Sequence, residues 1–262
     1  MAEPLRLGRV GFLNTYPVEW GLSRHLRAGA AEEVTGVPTA LNRMLRAGEV
    51  DVANVSSIEY AQAADQYVLL PSLCVGSDGA VASVQLVTEV PLERIRTVAA
   101  TSQSASSVAL VRTLLPSVEI LGEDETGDAR LLIGDEALHS AFHDPTPHID
   151  LGELWRDRTG LPMVFAVWAA RREVAEERLL EIDRALAAAL ADAHAHAADV
   201  ARDASVRYAY PAGYLARYFE RLRYRFGARE RQGLGRFFTM AHENGVLDAV
   251  PELRFAGTEV MR

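Results

Sequence analysis

The sequence contains no lysine; all 27 of its basic side chains are arginines. That excludes imine chemistry at a lysine amine and the lysine-dependent phosphate loop of nucleotide hydrolases. Cysteine is almost as scarce. Cys74 stands alone, so a disulfide framework and a cysteine cage for zinc or an iron–sulfur cluster are both ruled out. No uncharged apolar run reaches the roughly 18 residues of a membrane-spanning helix. The first ten residues lack the apolar stretch and small-residue cleavage site of a secretory signal. These absences predict a soluble, cytoplasmic protein. Positive charge is also in deficit, 27 basic against 36 acidic residues for a net charge of −9. Neither nucleic acid nor an anionic membrane is therefore an expected partner. Glycine-rich dinucleotide fingerprints, a nucleophile elbow and a paired-histidine zinc motif are all missing.

What is present is globular. The 262 residues are 49% apolar and 24% charged, enough for nearly two domains at about 150 residues each. Apolar periodicity predicts strands near 5–12, 34–37, 50–55, 67–74, 80–88, 98–100, 118–121, 131–133 and 161–170. Helices are predicted over 38–47, 104–115 and 151–158. A long helix is expected from 173 to about 204, uninterrupted by glycine or proline, with further helix over 211–245. This alternation predicts an α/β fold with a mainly parallel sheet. Nine arginines crowd residues 202–236. They read as a solvated helical face, with an anion site as the alternative.

Chemistry is expected where strands end, because ligands of open α/β sheets bind beyond the carboxyl ends of strands. Four hydroxyl- or amide-rich turns occupy such places. They are Asn14-Thr15-Tyr16, Asn54-Val55-Ser56-Ser57, the serine-rich stretch 101–107, and Gly134-Asp135. A helix start offers free N–H groups and the positive end of a dipole, which suits a carboxylate or phosphate. Plain N-capping by Ser102 or Ser104 is the alternative. Asp135 either faces a cleft or caps a helix. Ser83, in an apolar stretch, either finds a core partner or serves a site. His139 and His143 share a helical face near Asp144, but no distant carboxylate completes a metal site, and none is expected. Cys74 reads as a small core residue.

Several blocks together carry a family resemblance. They are Gly11-Phe12-Leu13-Asn14-Thr15-Tyr16-Pro17, the run from Asp51 to Tyr60, and Ser104-Ala105-Ser106-Ser107-Val108-Ala109-Leu110. Leu132-Ile133-Gly134-Asp135-Glu136-Ala137-Leu138 and Asp150-Leu151-Gly152-Glu153-Leu154-Trp155 complete the set. From about Gly8 to Phe255 the chain resembles the chorismate dehydratases of the futalosine route to menaquinone.

The resemblance implies a fold like that of type 2 periplasmic binding proteins, two α/β lobes around a cleft. Residues 1–85 and 170–262 would form one lobe and 86–169 the other, with crossings near Leu86 and Ala170. It implies a small-molecule substrate, chorismate, converted to 3-[(1-carboxyvinyl)oxy]benzoate and water without cofactor or metal. Asn14 and Ser83 would be catalytic. Thr15, Ser56, Ser57, Ser104, Ser106, Ser107, Gly134 and Asp135 would bind substrate. One departure stands out: the family's Ser-x-Thr-Ser helix start has Ser106 in place of the threonine. Asn14 and Ser83 are poor bases. The substrate's own enolpyruvyl carboxylate is therefore the expected proton acceptor, with Asp135 as the alternative. The competing readings are a solute-binding protein for a small carboxylate, the sister dihydroxynaphthoate-forming enzyme of the same route, and a ligand-sensing domain.

Overall fold

The computed structural model describes residues 3–100 and 105–257. The first sheet is assembled from both ends of the chain. It comprises β1 (Leu5–Val10), β2 (Ala31–Gly36), β3 (Val52–Ser56), β4 (Tyr67–Ser77), β10 (Met163–Arg171) and β11 (Leu222–Arg225), in the order β11-β4-β10-β3-β1-β2. The second sheet comprises β5 (Val84–Val87), β6 (Thr97–Ala100), β7 (Glu119–Leu121), β8 (Ala129–Ile133) and β9 (His148–Asp150), in the order β7-β6-β8-β5-β9.

Both sheets are mixed, which corrects the expectation of a mainly parallel one. β1 runs parallel to β2 and β3, and β6 to β7 and β8. β10 lies antiparallel between β3 and β4, and β5 antiparallel between β8 and β9. These two strands carry the chain between the sheets, so each enters its sheet against the prevailing direction. The outward crossing falls between Ser77 and Val84, and the return between Asp150 and Met163. The boundary expected at Ala170 lies inside β10, because that apolar strand pairs with β3 and β4 along its whole length.

The helices follow the apolar pattern. α1 (Tyr16–His25), α2 (Pro38–Ala47) and α3 (Ser57–Gln62) serve the first sheet. α2 has proline in its first turn and ends on Gly48, whose φ of 72° is the left-handed cap that glycine adopts freely. α4 (Ala105–Leu114), α5 (Gly134–His143) and α6 (Leu151–Thr159) belong to the second set. The long helix expected from 173 to 204 is two helices, α7 (Glu176–Ala195) and α8 (Ala197–Tyr208). The break is His196, at φ −120° and ψ 32°, whose ring lies 5.9 Å from that of Trp20. It lets α7 pack along α1 while α8 turns onto α9 (Ala212–Arg221). Propensity alone does not register such a tertiary demand.

α10 (Ala228–Glu243) packs on α3, α4 and β10 and so touches elements of both sheets. Phe237 on α10 meets Trp155 of α6 edge-on at 5.9 Å, and the Trp155 indole donates to the Pro162 carbonyl at 3.1 Å. Buried side chains of the two halves thus join one continuous core. Each fully buried large apolar side chain contributes about 1.5–3 kcal/mol. Among the described residues no helix is long and apolar enough to cross a membrane. Cys74 is buried there, which pushes its thiol well above the usual range.

Candidate active site

A cleft open to solvent separates the two sheets. One wall comes from the first sheet: Val10 at the end of β1 with Phe12 and Asn14 after it, Asn54 to Ser56 at the end of β3, Phe165 and Ala166 of β10, and Pro38. The other comes from the second: Ser83 and Val84 at the start of β5, Ser106 and Ser107 in the first turn of α4, and Ile133 and Gly134 where β8 becomes α5. β1, β3 and β8 all present their carboxyl ends, as the sheet argument requires.

The cleft gathers Asn14, Ser56, Ser83, Ser106, Ser107 and Gly134 from the expected set. The two expected catalytic residues, 69 positions apart (83 − 14), share it. Three others are engaged behind its surface. The Thr15 hydroxyl donates within its own turn to the Val10 carbonyl at 2.8 Å and meets Glu19 at 2.9 Å. Ser57 and Ser106 share a hydrogen bond at 3.0 Å, and Ser106 also accepts from the Ile58 amide at 3.2 Å. Asp135 accepts from the Leu13 amide at 2.9 Å, one residue before Asn14. Burial raises the Asp135 carboxyl above its usual range, and the Leu13 N–H opposes that rise. Ser104 lies outside the described residues.

Local structure explains why these atoms point where they do. Ser56 caps α3, accepting from the Glu59 amide at 3.3 Å. Its hydroxyl also accepts from Asn42 at 2.9 Å, and its own amide donates back to Asn42 at 3.2 Å. Asn42→Ala removes both bonds and leaves a buried amide unpaired, a cost of about 1–3 kcal/mol. Thermal unfolding should show Tm lower by roughly 2–10 °C; an unchanged Tm would mean that Asn42 does not hold this turn. Gly134 sits at φ 55°, and a Cβ there would lie 3.0 Å from the Phe12 ring. A side chain at Gly134 would both strain the backbone and press on that ring.

Among the described residues, no ionisable side chain lines the cleft. An anionic ligand would meet neutral hydroxyl and amide groups and the first turns of α4 and α5, whose dipoles favour negative charge. None of the nine arginines between 202 and 236 lines it. Among the described residues no group of three or more histidine, cysteine or acidic side chains is placed to hold a metal ion.

Sequence reasoning missed four kinds of contributor. Asn54 lines the cleft although only its neighbours Ser56 and Ser57 were singled out for binding. Phe12, Pro38 and Phe165 supply apolar surface. Tyr224 of β11 donates its hydroxyl to the Asn14 carbonyl at 2.7 Å, fixing the turn from behind. Tyr218 of α9 is 3% exposed; burial holds its phenol far above the usual value, with the Ser83 hydroxyl acting the other way. Asn54 and Phe12 lie inside blocks already recognised; for the others no local signal exists.

The chain is similar to several known proteins. The chorismate dehydratase of Thermus thermophilus is 36% identical over 200 residues, covering 65% of this chain and 71% of its own. That of Campylobacter jejuni is 32% identical over 155 residues, covering 59% and 58%. Protein AF1704 of Archaeoglobus fulgidus has the same fold at TM-score 0.79 and 19% identity, over 93% of this chain and 98% of its own. The periplasmic aliphatic sulphonate binding protein SsuA of Escherichia coli matches at TM-score 0.67 and 16% identity, over 98% of each chain. The fold is therefore that of the periplasmic binding proteins. The sequence pattern of the menaquinone biosynthesis family matches residues 5–243, and the chain belongs to that family.

Proposed function

We propose that this protein is a chorismate dehydratase, converting chorismate to 3-[(1-carboxyvinyl)oxy]benzoate and water. The observation that carries the reading is the meeting of Asn14 and Ser83 in a neutral, hydroxyl-lined cleft of a menaquinone-family chain. The reaction removes the ring C4 hydroxyl and the C3 proton, and the product is aromatic, so the driving force is large. It is a carbon–oxygen lyase reaction with no net redox change, and it calls for no cofactor. The protein's tasks are to orient the substrate, bind its two carboxylates and ease the departure of hydroxide. Ser107 and the first turns of α4 and α5 supply donors to the carboxylates. Asn14 and Ser83 hold the reacting side of the ring.

Among the described residues no carboxylate or imidazole lines the cleft. The substrate's enolpyruvyl carboxylate is the proton acceptor in this reading, and Asp135 serves to fix the Leu13–Asn14 turn. Asp135→Asn keeps an oxygen for the Leu13 amide, so kcat should stay within a few-fold of wild type; abolished turnover with intact binding would make Asp135 the base. The same variant has a pH signature. A carboxyl whose folded pKa is raised contributes stability at low pH that is lost as pH rises through the folded value. Tm of Asp135→Asn minus Tm of wild type should therefore increase from acid toward neutral pH.

The direct test is incubation with chorismate, following its loss and the appearance of the benzoate product. Absence of product, with tight binding of another small carboxylate, would make the protein a solute binder instead.

A further inference from the structure

Among the described residues five buried side-chain atoms have no hydrogen-bond partner, and two of them belong to residues lining the cleft: the side-chain oxygen of Asn14 and the side-chain nitrogen of Asn54. An unpaired buried polar atom is costly, and native proteins rarely retain one without a use. These two residues line the same cleft from the same wall. Asn54 is 1% exposed and lies on β3, a strand held between β1 and β10, so its side chain starts from a rigid base. The two atoms are also complementary, since one accepts a hydrogen bond and the other donates one. A carboxylate, which only accepts, would satisfy Asn54 and be repelled by the Asn14 oxygen. An ammonium would do the reverse. A hydroxyl donates and accepts, and satisfies both.

We propose that Asn54 is a further catalytic residue, which donates a hydrogen bond from its amide to the substrate's leaving hydroxyl while the Asn14 side-chain oxygen accepts a hydrogen bond from that hydroxyl, which keeps its proton. The inference rests on the dehydratase reading. In the step, the C3–H electron pair enters the ring as the C4–O bond breaks. Hydroxide departs with the bonding pair, and the proton lost from C3 completes the water. Negative charge grows on the departing oxygen, so the Asn54 hydrogen bond is stronger in the transition state than in the bound substrate. An interaction of that kind raises kcat rather than affinity.

Asn54→Asp and Asn54→Ala, assayed on chorismate across pH, test the assignment. At about pH 8 both should lose on the order of 10- to 10²-fold in kcat, the value of one hydrogen bond to a charged group. As pH falls toward about 5.5, Asn54→Asp should regain activity relative to wild type, because a protonated carboxyl is again a donor. Asn54→Ala should not recover. An analogue of chorismate lacking the C4 hydroxyl should inhibit wild type less well than it inhibits Asn54→Ala, relative to each enzyme's affinity for chorismate. A merely structural asparagine would move Tm and leave the pH profile alone. Unchanged kcat in a folded Asn54→Asp, or loss without acid recovery, overturns the proposal. If Asn54→Ala does not fold, the isosteric Asn54→Asp decides. Wild type that fails to dehydrate chorismate overturns the dehydratase reading itself, whereas an active wild type with unaffected variants overturns only the role of Asn54.

Discussion

Ser83→Ala and Asn14→Leu should each lower kcat by on the order of 10²- to 10³-fold, the scale of loss when one preorganised hydrogen-bonding group at a reacting centre is removed. Tm should move by less than about 4 °C, the equivalent of roughly 1 kcal/mol. The expectation follows from placement. Asn14 sits on the turn after β1, its carbonyl held by the Tyr224 hydroxyl at 2.7 Å. Ser83 sits on the crossing into β5, backed by the buried Tyr218. Neither side chain joins a structural network as Ser56 and Asn42 do. Loss of either therefore acts on the bound substrate more than on the fold. The double variant should lose less than the product of the single losses, because both groups act on one ligand. Steady-state kinetics and thermal unfolding on the same preparations decide the matter. Normal kcat in both variants would remove them from the chemistry and leave only a ligand-binding cleft.

The alternation of strand and helix was legible in the sequence because its signal is local. The predicted helix over 38–47 coincides with α2, and the strand at 98–100 lies within β6. Pairing direction was not legible. β10 reads as an apolar run whichever way it is inserted, and only the crossings between sheets make it antiparallel. The break at His196 was invisible for a similar reason, since it answers to Trp20, 176 positions earlier (196 − 20), and not to a helix breaker. In the site, hydroxyl-rich turns at strand ends pointed to Ser56, Ser106, Ser107 and Gly134 through a general property of α/β sheets. Thr15 and Ser57 share that composition, but their hydroxyls bond to neighbouring protein groups. Phe12 and Phe165 look like core residues in any sequence. Tyr218 and Tyr224 act on residues more than 130 positions away, and no periodicity reports such a contact.

The sequence predicts a strand over 80–88 with Ser83 inside it, and β5 is shorter, Val84–Val87. The missing residues form a turn whose geometry depends on Asp150. That carboxylate accepts from the Val81 amide at 3.0 Å, the Ala82 amide at 2.7 Å and the Gln85 side chain at 2.9 Å. It also caps α6 through the Gly152 and Glu153 amides at 2.9 and 3.1 Å. Ala82, held between these bonds, has φ 64°, a left-handed conformation that costs a residue with a Cβ roughly 1–2 kcal/mol. The turn is thus a strained segment kept in place by one side chain, and Ser83 follows it. Asp150→Ala should destabilise the protein by at least about 3 kcal/mol, combining a lost helix cap with several donors left unpaired. Tm should fall by roughly 6–12 °C. Below that Tm the folded protein should still show kcat reduced on the order of tenfold or more, because Ser83 is no longer aimed. Asp150→Asn retains one acceptor oxygen and should fall between the two. Ala82→Gly separates strain from aim: glycine adopts φ 64° freely, so the turn survives and kcat should stay near wild type. An Asp150→Ala protein with lowered Tm but unchanged kcat would show that Asp150 only caps α6 and that Ser83 is positioned by something else.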